Sequence, residues 1–215
     1  MSEFNIYITD KSFIKYAEEI CLMIEESAVQ RKTGIAKRPV EYIRRKIEEG
    51  KAVICLTSEK QLAGFCYIET WSNADYVANS GLIVHPDYRH KGLAKKIKGK
   101  AFDLSRKLYP DAKLFGLTTN LAVMRINSEL GYRPVTFSEL TQDDQFWKGC
   151  SSCANYDILN RMNHVHCLCT GMLYDPQKKP KNGKKLNVKG LKIYERWLRF
   201  KQYVLLKPFN KSSRK

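Results

Sequence analysis

Apolar residues along the first 140 positions alternate between two rhythms, and the alternation predicts a mixed α/β fold. Phe4 to Ile8 reads as a short strand. After it Phe13, Ile14, Ala17, Ile20, Ile24 and Ala28 recur at the spacing of one helical face. Pro39 stands where a proline opens a helix, Val40 to Ile47 keeps the helical rhythm, and Gly50 ends it. Three β-rich runs follow, Ala52 to Thr57, Leu62 to Trp71 and Tyr76 to His85, and their short polar links predict an antiparallel meander. Leu93, Ile97, Ala101, Leu104 and Leu108 form one helical stripe, with Lys91, Lys95, Lys96, Lys98 and Lys100 mostly off it, as on a solvated face. Lys113 to Asn120 reads as a strand, Leu121 to Leu130 as a helix closed by Gly131, and Arg133 to Leu140 as another strand. A half-polar stretch from Gln142 to Asn163 precedes a last strand at His166 to Tyr174. The expected fold is a mixed, mostly antiparallel sheet flanked by helices.

Charge then divides the chain. The net +16 suggests a nucleic-acid or membrane binder, but residues 177–215 hold fourteen Lys and Arg against the single Glu195, which leaves only +3 for residues 1–176. The expected organisation is a domain over 1–176, including a cysteine-containing segment at 142–170, and a basic extension over 177–215. Gln177 to Lys185 reads as a linker, and Leu191, Tyr194, Trp197, Leu198, Val204 and Leu205 as a final helix. Its interleaved aromatics suit stacking on single-stranded nucleic acid, yet they recur near helical spacing, which favours packing on the body. Nucleic acid is therefore not the expected partner.

No run of about 18 apolar residues exists, so a membrane is not an expected partner either. The N-terminus has no basic segment followed by an apolar one. Seven cysteines is an odd count, and Cys21, Cys55 and Cys66 sit in apolar stretches as core thiols do, which fits a reducing, cytoplasmic location. The oligomeric state stays open, with a dimer among the alternatives.

Candidate chemistry centres on Arg89-x-x-Gly92-x-Ala94, placed between a predicted strand and helix. The first amides of a helix lack internal acceptors, and the helix dipole favours an anion beside them. Gly92 permits close approach of a phosphate, Ala94 keeps the next turn slim, and Arg89 and Lys91 add charge. From this fragment alone, an anion-binding loop and a plain turn are both open.

The surrounding pattern resembles the GCN5-related N-acetyltransferase (GNAT) family over roughly residues 1–140. The run Val-x-Pro-x-x-Arg-x-x-Gly-x-Ala is matched from Val84 to Ala94, and a second run is matched by Asn120, Met124, Asn127, Gly131 and Tyr132. The resemblance implies acyl transfer from coenzyme A (CoA) to an amine. It places the pantetheine arm between the splayed fourth and fifth strands, against Leu82, Ile83 and Val84. It places the pyrophosphate at Arg89, His90, Lys91, Gly92, Leu93, Ala94 and Lys95, with Asn120 and Asn127 as further cofactor contacts. Backbone amides of the fourth strand would stabilise the oxyanion, and a base must deprotonate the incoming amine.

Two departures from the family pattern matter. A glutamate expected near the start of the fourth strand is replaced by Val77, Ala78 and Asn79, so Glu69 on the neighbouring strand becomes the candidate base ahead of Asp75, with Asn120 as a second candidate catalytic residue. The tyrosine that often reprotonates the thiolate is replaced by Asn127, which cannot supply a proton but can hydrogen-bond.

A closer resemblance, over about residues 30–176, is to a bacterial subfamily linked to arginine biosynthesis that acylates the amino group of glutamate. It rests on Gly34 to Leu56, Phe65 to Trp71, Ala78 to Val84, and Phe146-Trp-Lys-Gly-Cys150 through Cys167-Leu-Cys169. It implies acetyl-CoA or succinyl-CoA as donor and glutamate as acceptor. Two carboxylates need cations, and Lys37, Arg38, Arg44 and Arg45 are available, with Arg38 and Arg45 the chosen candidates. Trp71 and Thr118, with Thr119 beside it, are candidate lining residues. Cys150-x-x-Cys153 and Cys167-x-Cys169 admit a tetrathiolate zinc site, a redox pair or plain packing. The second spacing is not that of a familiar zinc ribbon, and no metal ligand is assigned.

Overall fold

Strands take their places here by how their faces are covered: Ala52–Thr57 buries all six side chains and Leu62–Trp71 its first eight, between helices on both faces of a single sheet, whereas Phe4–Ile8 buries none fully. The computed structural model describes residues 3–31 and 38–178, together with the single positions Glu195 and Arg199. Contacts divide the chain into Met1–Lys178 and Lys179–Lys215. The expected final helix lies outside the described residues.

In the first unit β1 (Phe4–Ile8) leads through a 3-10 turn into α1 (Ala17–Arg31) and α2 (Val40–Glu48). The meander is β2 (Ala52–Thr57), β3 (Leu62–Trp71) and β4 (Tyr76–Val84), followed by α3 (Leu93–Leu108), β5 (Lys113–Thr118) and α4 (Leu121–Glu129). β6 (Arg133–Val135), α5 (Asp144–Lys148), α6 (Tyr156–Arg161) and β7 (Thr170–Tyr174) complete it. The seven strands lie in the order β1-β2-β3-β4-β5-β7-β6. Every pairing is antiparallel except β4 with β5.

Cys66, Ile68 and Val77 face α3, where Leu93, Ile97, Ala101 and Leu104 are buried. Each such Leu or Ile contributes roughly 1.5–3 kcal/mol by leaving water. Phe65, Tyr67 and Ile83 face the opposite side, against Ile20 and Ile24 of α1 and Ile43 and Ile47 of α2. Trp71, Ala78, Phe115 and Leu173 meet Trp147 and Leu159 in a third cluster.

Three expectations are corrected, and one placement was not foreseen. The strand expected over Arg133–Leu140 stops at Val135 and gives way to a 3-10 turn at Phe137–Glu139, because this edge segment pairs only with β7. The last strand begins at Thr170 rather than His166, so Cys167 and Cys169 precede it and do not share a strand face. β7 also inserts between β5 and β6, which chain order did not suggest. Finally, Lys98 is not on a solvated face: it is 2% exposed, enclosed by Asn79 of β4 and the Tyr132 ring.

Candidate active site

Backbone hydrogen bonding opens a gap in the middle of the sheet. β4 and β5 pair only through Tyr76–Lys113, Val77–Leu114 and Ala78–Phe115. Beyond Ala78, β5 continues with β7 alone, so among the described residues the rest of β4 has no strand on that side. A bulge follows in β4, where two residues, Gly81 and Leu82, stand opposite the single Cys66. Gly81 has φ +63°, and a Cβ there would press into the Tyr67 ring, so glycine is required twice over. After the bulge His85 N–H donates to Ala63 O at 3.0 Å. By alternation Ile83 then turns its backbone to β3, while Leu82 and Val84 turn theirs to the gap. Leu82 and Val84 thus stand where a linear ligand can bond. Ile83 does not: its side chain is buried under α1 and α2.

The loop at the mouth of this gap is built for an anion. Gly92 is the N-cap of α3 at φ +75°, and no atom lies within 4 Å of where its Cβ would be. Among the described residues, the backbone amides from His90 to Lys95 bond no acceptor, the first bond of the helix being Lys96 N–H to Gly92 O at 3.3 Å. Leu93 contributes its amide only, its side chain being core, and Ala94 is half-buried. The expected charges are partly engaged elsewhere. Arg89 Nε donates to Val84 O at 3.3 Å, Lys91 lies over the Phe4 and Tyr88 rings, and Lys95 pairs with Glu129 at 2.8 Å. Amides and open space therefore make the anion site, with the cations as surrounding field. In α4 the Asn127 side-chain oxygen is buried and, among the described residues, has no partner, as a ligand-facing acceptor would be. These features fit a CoA pyrophosphate and arm.

On the α2 face of the sheet Glu69 is buried, opposite Ala78 in register and so beside the closed end of the gap. Its Oε1 accepts a short hydrogen bond from Tyr42 and lies 3.5 Å from an Arg38 nitrogen. Arg38 Nε in turn donates to Tyr67 OH at 3.1 Å. Burial pushes the Tyr42 hydroxyl well above its ordinary range, and Glu69 pushes it further, so Tyr42 stays a donor. Burial and Glu69 likewise raise Tyr67. Burial works against the charge on Arg38, but Tyr67, Glu69 and Tyr42 outweigh it and hold the guanidinium above its ordinary value. Burial draws Lys46 below its ordinary value against the pull of Glu69.

The structure thus joins Glu69 and Arg38 and adds Tyr42, Tyr67 and Lys46, which sequence reasoning missed. The signal was available: Arg38, Tyr42 and Lys46 are four residues apart, and Tyr67, Glu69 and Trp71 alternate along one strand face. Arg45 is exposed and reaches the cluster only over the Tyr42 ring, at 5.8 Å. Arg44 points elsewhere, pairing with Glu18 and Glu41, and Lys37 lies outside the described residues. Trp71 packs on Phe146, and its buried indole nitrogen has no acceptor among the described residues. Thr118 Oγ1 accepts the Asn120 amide. Asn120 is a helix cap rather than a free catalytic group, because its Oδ1 accepts from Ala122 and Val123. Asp75 is exposed at the β3–β4 turn.

Cys150, Cys153, Cys167 and Cys169 line one cavity with Asn155 and Leu159. Burial raises the Cys150 thiol to about 11, with Cys153 and Cys167 adding to it. A hydrogen bond with Cys167, then burial, raises Cys169. Among the described residues no three His, Cys, Asp or Glu side chains are arranged to hold a metal ion. Nor is any described helix long and apolar enough to cross a membrane.

Comparison with known proteins adds family and fold. The profile of the acetyltransferase (GNAT) family matches residues 16–132, more than half of the chain. No curated protein sequence matches it. N-acetylglutamate synthase from Neisseria gonorrhoeae, complexed with coenzyme A and N-acetyl-glutamate, aligns with TM-score 0.57 at 18% identity, over 81% of this chain and 35% of its own. The yncA protein of Salmonella typhimurium, solved with its cofactor acetyl-CoA, aligns with TM-score 0.53 at 15% identity, over 85% of this chain and 99% of its own. A GNAT-family acetyltransferase from Staphylococcus aureus Mu50 gives 0.53 at 16% identity, over 66% and 91%. This chain therefore spans about a third of the synthase, and likeness at these identities carries the fold.

Proposed function

The chain belongs to the acetyltransferase (GNAT) family, whose co-substrate is an acyl-CoA, and from that premise we propose that it transfers an acetyl or succinyl group to the α-amino group of glutamate, serving arginine biosynthesis. The carrying observation is a gap between β4 and β5 that opens beside an unpaired amide loop and closes beside a buried carboxylate.

Amides from His90 to Lys95 would hold the pyrophosphate, and the gap-facing backbone of Leu82 and Val84 the arm. The acyl-CoA supplies the activated carbonyl, and the remaining steps belong to side chains of this chain. Glu69 accepts the proton that the amine loses, held in place by Tyr42. Arg38 presents a guanidinium that can bind a carboxylate of the acceptor while facing Glu69, and Trp71 follows Glu69 on the same strand face. An acidic acceptor suits this site because Arg38, Lys46 and Arg45 all surround the Tyr42 ring.

The test is turnover by the full chain with acetyl-CoA or succinyl-CoA and a panel of amines that includes glutamate, following released thiol and identifying the product by mass. N-acylglutamate is the expected product. Transfer only to other small amines or to protein lysine would overturn the glutamate reading, and CoA binding with no transfer to any amine would overturn the enzyme reading.

A further inference from the structure

We propose that Lys98 is a further catalytic residue, its ammonium standing at the closed end of the β4–β5 gap to protonate the CoA sulfur as the thioester breaks. This role presupposes the acyl-CoA donor above.

Backbone directions place the ammonium. Asp75 O accepts from Lys113 N of β5 at 2.9 Å, and Ile68 N donates away from β4, to Lys51 O at 2.8 Å. Asn79, the partner of Ile68, therefore turns its own N–H and C=O away from β3, toward β5. Because pairing ends at Ala78, the Asn79 carbonyl is the first on that edge without a strand partner, and Lys98 Nζ donates to it at 3.4 Å. A linear arm anchored at the Gly92 loop and laid along β4 from Val84 toward Asn79 covers roughly 17 Å at about 3.3 Å per residue. It ends where strand pairing closes the gap, at Lys98.

The ammonium is poorly satisfied there. It has three protons to donate, is 2% exposed, and among the described residues makes this one long hydrogen bond and a contact with the Tyr132 ring at 5.5 Å. Asn79 cannot turn to help it, since its Nδ2 donates to Ser105 Oγ at 2.7 Å and its Oδ1 accepts from Tyr132 OH at 3.2 Å. A buried cation with spare donors is costly unless an acceptor completes its shell, and a sulfur carrying developing negative charge is one.

Among the described residues, the groups facing Lys98 are Asn79 of β4, Cys66 of β3 and Tyr132 after α4, with no carboxylate among them. Burial lowers Lys98 to about 8, against an opposing pull from Cys66, whereas burial raises Cys66 to about 11 and also raises Tyr132. Of the three, Lys98 alone exchanges a proton near neutrality, as a general acid should.

Base and acid lie on opposite faces of one sheet. Glu69 stands on the α2 face opposite Ala78, and Lys98 on the α3 face against Asn79. The amine nitrogen bonds to the carbonyl carbon and gives its surplus proton to Glu69. The C–S bond breaks with its electron pair on sulfur and Lys98 gives that sulfur a proton; after product leaves, Glu69 releases its proton to solvent and solvent returns one to Lys98.

CoA itself is the probe. The thiol of CoA bound to the full-length protein is titrated by its thiolate ultraviolet absorbance, in wild type and in Lys98→Met, with thermal melts to check folding. In wild type the bound thiol should titrate about one unit or more below free CoA, as a nearby cation requires, and Lys98→Met should remove that shift. Lys98→Arg should keep the shift, since charge remains, while kcat with the accepted amine falls about 100-fold, since the proton does not transfer. Equal thiol pKa in wild type and Lys98→Met with CoA bound to both overturns the role of Lys98, as does full kcat in both variants. Failure of wild type to bind CoA overturns the acyl-CoA reading instead.

Discussion

Lys98→Met should stabilise the protein near neutral pH and lose that advantage as the solution becomes alkaline. Burial lowers the Lys98 amine from 10.5 to about 8, with Cys66 pulling the other way. At about 1.4 kcal/mol per unit, holding the ammonium in this site costs roughly 3 kcal/mol. The folded value lies below the unfolded one, so the penalty is complete below about 8. It fades between 8 and 10.5, where the native state has shed the proton and the unfolded chain still carries it. Methionine matches the stem without charge, and its introduction forfeits one long hydrogen bond and one ring contact, about 1 kcal/mol together. The net gain near neutrality is about 2 kcal/mol, or a rise of about 4–8 °C in Tm for a chain of this length. Urea unfolding of both proteins near neutral pH and near 10.5 measures it. Cys66, at about 11, is mostly a thiol for much of this window, so the difference between the two proteins follows Lys98. A stability difference constant across the window, or a variant less stable than wild type near neutrality, would refute a buried, charged Lys98.

The remaining predictions probe donor loop, base and acceptor separately. Gly92→Ala should cost about 1–2 kcal/mol, because φ +75° strains an L residue although its Cβ meets nothing, and should weaken CoA binding about tenfold by calorimetry. Gly81→Ala should cost more in urea unfolding, since strain and the Tyr67 ring act together. Glu69→Gln should lower kcat about 100-fold or more in the thiol-release assay while leaving the KM for acyl-CoA near wild type. Arg38→Ala should raise the KM for glutamate about tenfold or more, and an unchanged KM would remove Arg38 from the acceptor site.

Features carried by local rhythm were legible in the sequence, and features made by distant strands were not. The meander and α3 fall within a residue of their expected ends, because alternation, the helical stripe and turn residues are local signals. The Gly92 loop was legible for the same reason. β7 was expected as a strand but not between β5 and β6, because strand order depends on which edges remain open once the helices have packed. Glu69 stood out as a nearby carboxylate. Tyr42, which donates to it, and Tyr67, which accepts from Arg38, did not, since each is an ordinary residue until α2 is laid across β3.

Lys98 shows the limit most sharply. A helical stripe predicts burial by assuming that a helix is covered on one side only, so a lysine beside the stripe reads as solvated. α3 is covered by the sheet and also by the turn after α4 that carries Tyr132, and that second cover encloses position 98. Periodicity is blind to it because Tyr132 arrives from 34 positions along the chain. A buried cation is the kind of local inconsistency that a packed fold retains where chemistry requires it. The same residue should therefore cost stability in the free protein and lower the thiol pKa of bound CoA. Observing the first without the second would make Lys98 a structural burden, whereas observing both would make it part of the site.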